Sequence, residues 1–122
     1  MDFDSIVLIH REKGAFLKEG ISIKVESCLQ NIKSFYEEEG KIFLVLNLEE
    51  DFKDEEFDKI FEEFPYEEFE NEGINIYPKD EEYYPTFIVE IENKPREELQ
   101  KEIDLILEIF MEKVVKIYCN NI

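Results

Sequence analysis

Residues 41–48 read Lys-Ile-Phe-Leu-Val-Leu-Asn-Leu, and this stretch determines how the rest of the chain is arranged. Strand side chains alternate in direction, so the four even-numbered aliphatic residues share one face, whereas Phe43 and Val45 share the other. Both faces are apolar, while a strand with one face in water carries a polar residue at every second position. The stretch therefore predicts a central strand that is covered on both sides.

The N-terminal residues are predicted to form a β-hairpin. Within residues 4–11, Ile6 and Leu8 alternate with Val7 and Ile9, which gives a second strand that is apolar on both faces. Residues 12–14 end in a glycine that is free to adopt a positive φ, and an apolar strand follows over residues 16–25. We expect a β-bulge in that strand at its glycine, residue 20.

Three amphipathic helices are predicted. The first begins at Ser27, a competent N-cap, and ends at Gly40, because apolar residues recur between them at helical spacing. The second lies in residues 49–73, where four aromatic and aliphatic residues form an inner stripe and Pro65 stops or restarts the helix. The third is a long C-terminal helix that begins at Asn93 or Lys94. Its apolar stripe is wider than contact with one layer requires.

The remaining elements complete an α+β fold. Residues 74–77 form a short strand, residues 78–85 a polar loop, and residues 87–92 a strand with one wet face. The predicted order is β-β-α-β-α-β-β-α, with about five mostly antiparallel strands packed against three helices. No linker interrupts the sequence, so residues 1–122 are expected to form a single domain.

Two strands that are apolar on both sides require cover on the second face of the sheet. Either the three helices divide between the two faces, or two copies of the chain associate there. One helix is short and another is strongly acidic, which makes thin cover. We therefore expect a homodimer.

Acidic residues dominate the charge of the chain. The formal net charge is −18, and residues 49–72 alone contain thirteen acids and two lysines, giving −11. Such a field repels nucleic acid phosphates and anionic lipid, so direct binding to nucleic acid or to a membrane is not expected. It attracts basic protein surfaces and, weakly, divalent cations.

Composition and the N-terminal sequence favour a cytoplasmic protein. The first apolar run is only four or five residues long and has no basic segment ahead of it, which is not typical of a signal peptide. Cys28 and Cys119 are far apart and form no CxxC motif, so no disulfide framework or zinc knuckle is indicated. Abundant Ile, Lys, Glu, Asn, Phe and Tyr without Trp is typical of AT-rich coding and favours a bacterial source.

No motif in the sequence indicates a catalytic, cofactor or metal site. His10 is the only histidine, and no Ser or Thr lies in a GxSxG-type nucleophile elbow. Acidic pairs are too frequent for any one to be diagnostic, and the DxDxDG calcium loop is missing. We expect His10 at a strand end, half in water, and Cys28 in the core. We expect no cofactor.

These features lead to three functional hypotheses. The first is a non-catalytic interaction or regulatory module that binds a basic protein surface, with nucleic-acid mimicry as its sharper form. The second is an enzyme or small-ligand binder with a pocket between the C-terminal helix and the sheet. The third is a structural homodimer. For the first, the predicted contact residues are Asp54, Glu55, Asp58, Glu62, Glu63, Tyr66, Tyr83 and Tyr84.

Overall fold

The computed structural model describes residues 4–79 and 82–119 of the chain. Its strands are β1 (Asp4–Glu12), β2 (Ala15–Val25), β3 (Ile32–Glu38), β4 (Lys41–Asn47), β5 (Asn75–Lys79) and β6 (Thr86–Glu92). Its helices are α1 (Asp54–Glu63), α2 (Tyr66–Glu70), α3 (Arg96–Phe110) and α4 (Lys116–Tyr118), with a 3₁₀ turn at Leu29–Asn31 and a π-helical turn at Met111–Val115. The fold is α+β, which confirms the predicted class.

Within these residues the strands form one mixed sheet of six strands in the order β2-β1-β3-β4-β6-β5. Only β1 and β3 pair in parallel, and every other neighbouring pair is antiparallel. β4 lies at the centre of the sheet, as its sequence predicts. β5 and β2 are the two edge strands, and β6 lies next to β5.

The first predicted helix is wrong, because most of that segment is strand β3. Phe35 is buried against the core, whereas Tyr36 lies on the opposite face of the sheet, so the two residues follow the period of a strand. Glu39 and Gly40 both have positive φ, 54° and 81°, as the two central residues of a type I′ hairpin turn require. The left-handed glycine therefore joins β3 to β4 instead of ending a helix.

The hydrophobic core lies between one face of the sheet and the helices. It contains the even-numbered side chains of β4, the odd-numbered side chains of β6, and the inner stripe of α3. Leu99, Ile103, Ile106 and Phe110 of that stripe are completely buried. The helical cover therefore lies on one side of the sheet.

Of the two predicted ways of covering the second face of the sheet, division of the helices between both faces is wrong. Val7 shares the face of Val45 and is 37% exposed, and no apolar side chain of that face belongs to the core cluster. Val45 is nevertheless buried, at 5% exposure. The rings of Tyr36 and Phe43 stack with centroids 5.2 Å apart, and the Arg11 guanidinium lies 3.8 Å above the Tyr36 ring.

Side chains of α3 cover the outer edge of β2. The Gln100 side chain accepts a hydrogen bond from the Lys24 backbone N–H at 2.9 Å and donates one to the Lys24 carbonyl at 2.8 Å. The Arg96 side chain donates to the Ser22 carbonyl at 3.0 Å. These bonds use backbone groups that an edge strand otherwise presents to another chain.

The predicted β-bulge at Gly20 is confirmed by the strand register. Val7 pairs with Ser22 and Ile9 pairs with Glu19, so two residues of β2 lie opposite Leu8. The bulge brings Gly20 against the side chain of His10, and a Cβ at this position would stand 2.9 Å from the imidazole Cδ2.

The C-terminal helix changes phase at its π-helical turn. The turn buries Val114 and Val115 together, at 0% and 6% exposure, where a regular helix would direct one of them further from the sheet. Within residues 4–79 and 82–119, no helix has both the length and the apolar character needed to cross a bilayer.

Candidate protein-interaction surface

Helix α1 presents a row of carboxylates to solvent because its other side is fixed to the core. Ile60 and Phe64 point inward and are buried, whereas the acidic side chains of α1 are exposed. The acids of the first turn stabilise the positive end of the helix dipole, and the Glu56 carboxylate accepts a hydrogen bond from the Lys53 N–H at 3.1 Å. The amphipathic pattern predicted from the sequence is therefore observed at Ile60 and Phe64.

An aromatic cluster holds α1 and α2 on the sheet. The Phe87 ring of β6 stacks on Phe64 with centroids 3.9 Å apart and lies 5.3 Å from the Phe61 ring. Phe64 also stacks on Phe69, at 5.7 Å, and contacts Tyr66, at 4.7 Å. Tyr66 was predicted as a surface contact, but it is half-buried at the edge of this cluster, where it packs.

The start of α1 and the loop before β6 together form an open cleft of about 580 Å³. We call it the acidic–aromatic cleft. Its walls contain four carboxylates and three aromatic rings. These residues are Glu50, Asp51, Phe52, Asp54, Phe57, Glu82 and Tyr83. Carboxylates and ring faces in one concave surface are suited to a cation, since both attract positive charge.

Only one carboxylate of the cleft has a cation partner among the described residues. Glu82 lies 2.9 Å from Lys79 Nζ and 3.3 Å from Lys33 Nζ, and hydrogen bonds from Lys79 and then Lys33 lower its pKa. Within the described parts of the chain, Glu50, Asp51 and Asp54 take part in no ion pair. Three carboxylates are thus available to an external cation.

The structure brings together two of the predicted contact residues and separates others. Asp54 and Tyr83 lie in the acidic–aromatic cleft, and Tyr83 is 80% exposed. Tyr84 is half-buried beside it, with ring centroids 4.8 Å apart. Glu63 lines a neighbouring cleft of about 360 Å³ between α1 and the C-terminal helix, and Phe52 lines both clefts. The remaining predicted acids are exposed on α1, outside the walls of either cleft: Glu55, Asp58 and Glu62.

Sequence reasoning missed five residues of the acidic–aromatic cleft. Glu50, Asp51 and Glu82 are not distinguished from the many other acids of the sequence, and Phe52 lies outside the helical stripe. Phe57 was assigned to the inner stripe because it keeps the helical spacing, but it is half-exposed and faces the cleft. A phenylalanine at the first turn of an acidic helix was the available signal.

His10, the only histidine of the sequence, pairs with the carboxylate of Glu37. The imidazole Nδ1 lies 2.6 Å from Glu37 Oε1, with both side chains about one-quarter to one-fifth exposed. The other ring nitrogen lies against Gly20, so it does not open onto a substrate-sized space. The contact ties β1 to β3 at the partly wet strand end that the sequence predicts. Among the described residues, no three His, Cys, Asp or Glu side chains are grouped so as to hold a metal ion.

Both cysteine thiols are buried and free. Burial raises the pKa of Cys28 to about 11, against a smaller opposite effect of the Ser27 hydrogen bond. Burial, with the charge of Glu50, also raises the pKa of Cys119 to about 11. The predicted core location of Cys28 is confirmed at 2% exposure.

These pKa values predict slow thiol chemistry in the folded protein. The thiolate is the reacting species, so raising a thiol pKa from about 9 to about 11 lowers the reactive fraction at pH 8 roughly a hundredfold. We expect an aromatic disulfide reagent at pH 8 to label the native chain at least ~100-fold more slowly than the chain in guanidinium. A rapid phase equivalent to one thiol per native chain would contradict this result.

Comparisons with known proteins place the chain in a family without assigning it an activity. No curated protein and no solved structure matches it. A family model matches residues 1–121, and the chain therefore belongs to the family of unknown function DUF6762.

Proposed function

We propose that this protein is a non-catalytic, cytoplasmic protein-interaction module that binds basic protein surfaces through α1 and the acidic–aromatic cleft. The observation that carries the proposal is the cleft itself. It combines three carboxylates that have no ion-pair partner among the described residues with three aromatic rings. These side chains come from two segments of the sequence that fold against each other.

The charge of the surrounding surface supports long-range attraction of a cationic partner. Residues 49–72 contribute −11 of the total −18, and the acids of α1 are exposed. A concentrated field of one sign speeds the association of oppositely charged proteins and weakens as salt screens it. Binding through this surface should therefore depend strongly on ionic strength.

The aromatic rings provide contacts for the apolar part of an inserted side chain, which carboxylates alone do not provide. A lysine or arginine side chain that enters the cleft can place its charged end among Glu50, Asp51 and Asp54 while its methylene groups contact the ring of Phe52 or Phe57. Such contacts distinguish an inserted side chain from a diffuse cloud of cations. The alternative of a ligand pocket between α3 and the sheet has less support, because fully buried side chains fill that interface.

A lysine decapeptide with a fluorescent label tests this proposal by anisotropy at low and moderate salt. We expect the triple variant Glu50→Gln, Asp51→Asn and Asp54→Asn to weaken binding at least ~3-fold, since each charge contact with a lysine contributes roughly 0.2–1 kcal/mol. The matched control removes three exposed charges elsewhere, by Glu97→Gln, Glu98→Gln and Glu108→Gln, and should retain most of the affinity.

Two outcomes would contradict the proposed site. If the control triple weakens binding as much as the cleft triple, the peptide responds only to net charge. If the unmodified chain does not bind the peptide even at low salt, the acidic surface does not bind basic partners. Loss of binding in Tyr83→Ala at unchanged net charge would support insertion beside that exposed ring.

A further inference from the structure

The sheet face opposite the helices is apolar at its centre and includes residues from every strand. The registers arrange its side chains in rows that run across the sheet. One row reads Glu92, Lys41, Glu38, Arg11 and Phe16; the next reads Asn75, Glu90, Phe43, Tyr36, Ile9 and Glu19; the following positions are Tyr77, Ile88, Val45, Ser34, Val7 and Ser22. We call this surface the open sheet face. The second and third of these rows hold seven aliphatic or aromatic side chains among twelve positions.

The apolar centre of this face is only partly shielded. Val7 and Tyr77 are each 37% exposed, and Ile9, Phe43 and Ile88 are half-buried without joining the core between the sheet and the helices. The apolar side chains therefore extend across five neighbouring strands. A contiguous surface of this kind marks an interaction site more often than a solvated face.

The charges of the open sheet face cancel, in contrast to the rest of the molecule. The paired positions that share the side of Val45 carry four bases, Arg11, Lys24, Lys41 and Lys79, and four acids, Glu19, Glu38, Glu90 and Glu92. The chain as a whole carries −18. This face is thus the part of the sheet where two strongly acidic molecules repel each other least.

We propose that a second copy of this chain packs against the open sheet face to form a symmetric homodimer. A basic partner is attracted to the acidic helical surface and gains nothing from a neutral face. A face that carries equal numbers of acids and bases has no net repulsion against a second copy, and a twofold interface brings the same face of both copies together. This inference concerns a different surface from the acidic–aromatic cleft and does not depend on the proposed function.

The size of the face is sufficient for association. Its six strands lie about 4.8 Å apart, and three of the four inner strands, β3, β4 and β6, are seven residues long, so the footprint is roughly 500–600 Å² per copy. Two copies then bury roughly 1,000–1,200 Å², which reaches the lower limit of about 1,000 Å² for specific interfaces. We expect a micromolar dissociation constant.

Sedimentation equilibrium of the full chain, from about 1 to about 200 μM, covers the range in which an interface of this size dissociates. We expect the mass to rise from 14.7 kDa towards twice that value. Because each copy is strongly acidic, raising the salt concentration should strengthen dimerisation, whereas it should weaken binding of the lysine peptide. The two proposals thus respond to salt in opposite directions and can fail separately.

The double variant Val7→Lys and Tyr77→Lys tests the location of the interface. The variant lowers the net negative charge, which by itself favours association. We expect dimerisation to weaken at least ~10-fold, and such a loss would have to come from the two lysines within the face. The control Leu29→Lys and Ile117→Lys makes the same charge change at residues that are 37% and 54% exposed elsewhere. Circular dichroism should show that both variants are folded.

The proposal is overturned by either of two results. A constant mass of 14.7 kDa at every concentration and salt would show that the open sheet face does not bind a second copy. Dimerisation that the face variant leaves intact would assign the interface to another surface. Loss of dimerisation only in the face variant supports the proposal.

Discussion

Replacing Phe87 by alanine is expected to lower the free energy of unfolding by about 3–5 kcal/mol, the usual cost of removing a completely buried aromatic ring. Phe87 is 0% exposed, and its ring contacts those of Phe64 and Phe61, which join α1 to the sheet. A cavity at this point removes contacts on both the helix and the strand. Urea unfolding followed by circular dichroism measures the effect as a fall in the transition midpoint.

The exposed neighbour of this cluster provides the control. Tyr83→Ala removes a ring of similar size that is 80% exposed, and it should change stability by less than about 0.5 kcal/mol. Phe87→Leu should cost less than Phe87→Ala because it leaves a smaller cavity. Equal effects of Phe87→Ala and Tyr83→Ala would show that Phe87 is not the packing centre described above.

Gly20→Ala is expected to destabilise the chain by about 1–3 kcal/mol, the typical cost of inserting a methyl group into occupied space. The new Cβ would overlap the imidazole Nε2 of His10 and lie 3.2 Å from the Leu8 carbonyl. His10 cannot swing away freely, because its other nitrogen contacts Glu37 at 2.6 Å. Thermal or urea unfolding of the variant measures the loss.

A second substitution isolates the cause of that loss. In a His10→Ala background the methyl group has space, so the cost of Gly20→Ala should fall to less than about half, which is a coupling that a double-mutant cycle detects. Glu19→Ala, at an exposed neighbouring position, should have little effect in either background. Equal costs with and without His10 would assign the strain to the Leu8 carbonyl instead.

The elements whose local pattern agrees with their tertiary environment could be predicted from the sequence. Residues 41–47 form the central strand because apolar residues on both faces fit that position. The inward residues of α1 also follow the predicted stripe, and the chain restarts as α2 after Pro65. Here a local preference and long-range packing favour the same conformation.

Strand β3 could not be predicted from spacing alone, since its apolar residues fit two periods. Leu29, Ile32 and Tyr36 match a helix, while pairing with β4 places Phe35 and Tyr36 on opposite faces. A better signal was the turn. Gly40 directly precedes a strong strand, and a two-residue turn of this kind needs a second strand before it, as at Lys13 and Gly14.

The candidate surface was predicted only in part, because part of it depends on contacts between segments that are separate in the sequence. The charge of residues 49–72 is visible in composition, so the acidic helix was identified. The cleft depends on Tyr83 lying beside Asp54, which follows from the path of the loop before β6. No periodicity encodes such a contact between separate segments. The neutral balance of the open sheet face likewise depends on registers that only the folded sheet defines.

The hydrogen bonds from α3 to the edge of β2 limit how copies of this chain can associate. Gln100 and Arg96 occupy backbone groups on that edge, and Pro78 removes a donor from β5 at the other. Edge-to-edge addition has no natural end point and leads towards fibrils, so closing these positions suppresses polymerisation. Strand addition at either edge is therefore disfavoured, which leaves the faces of the sheet, not its edges, for contacts between copies.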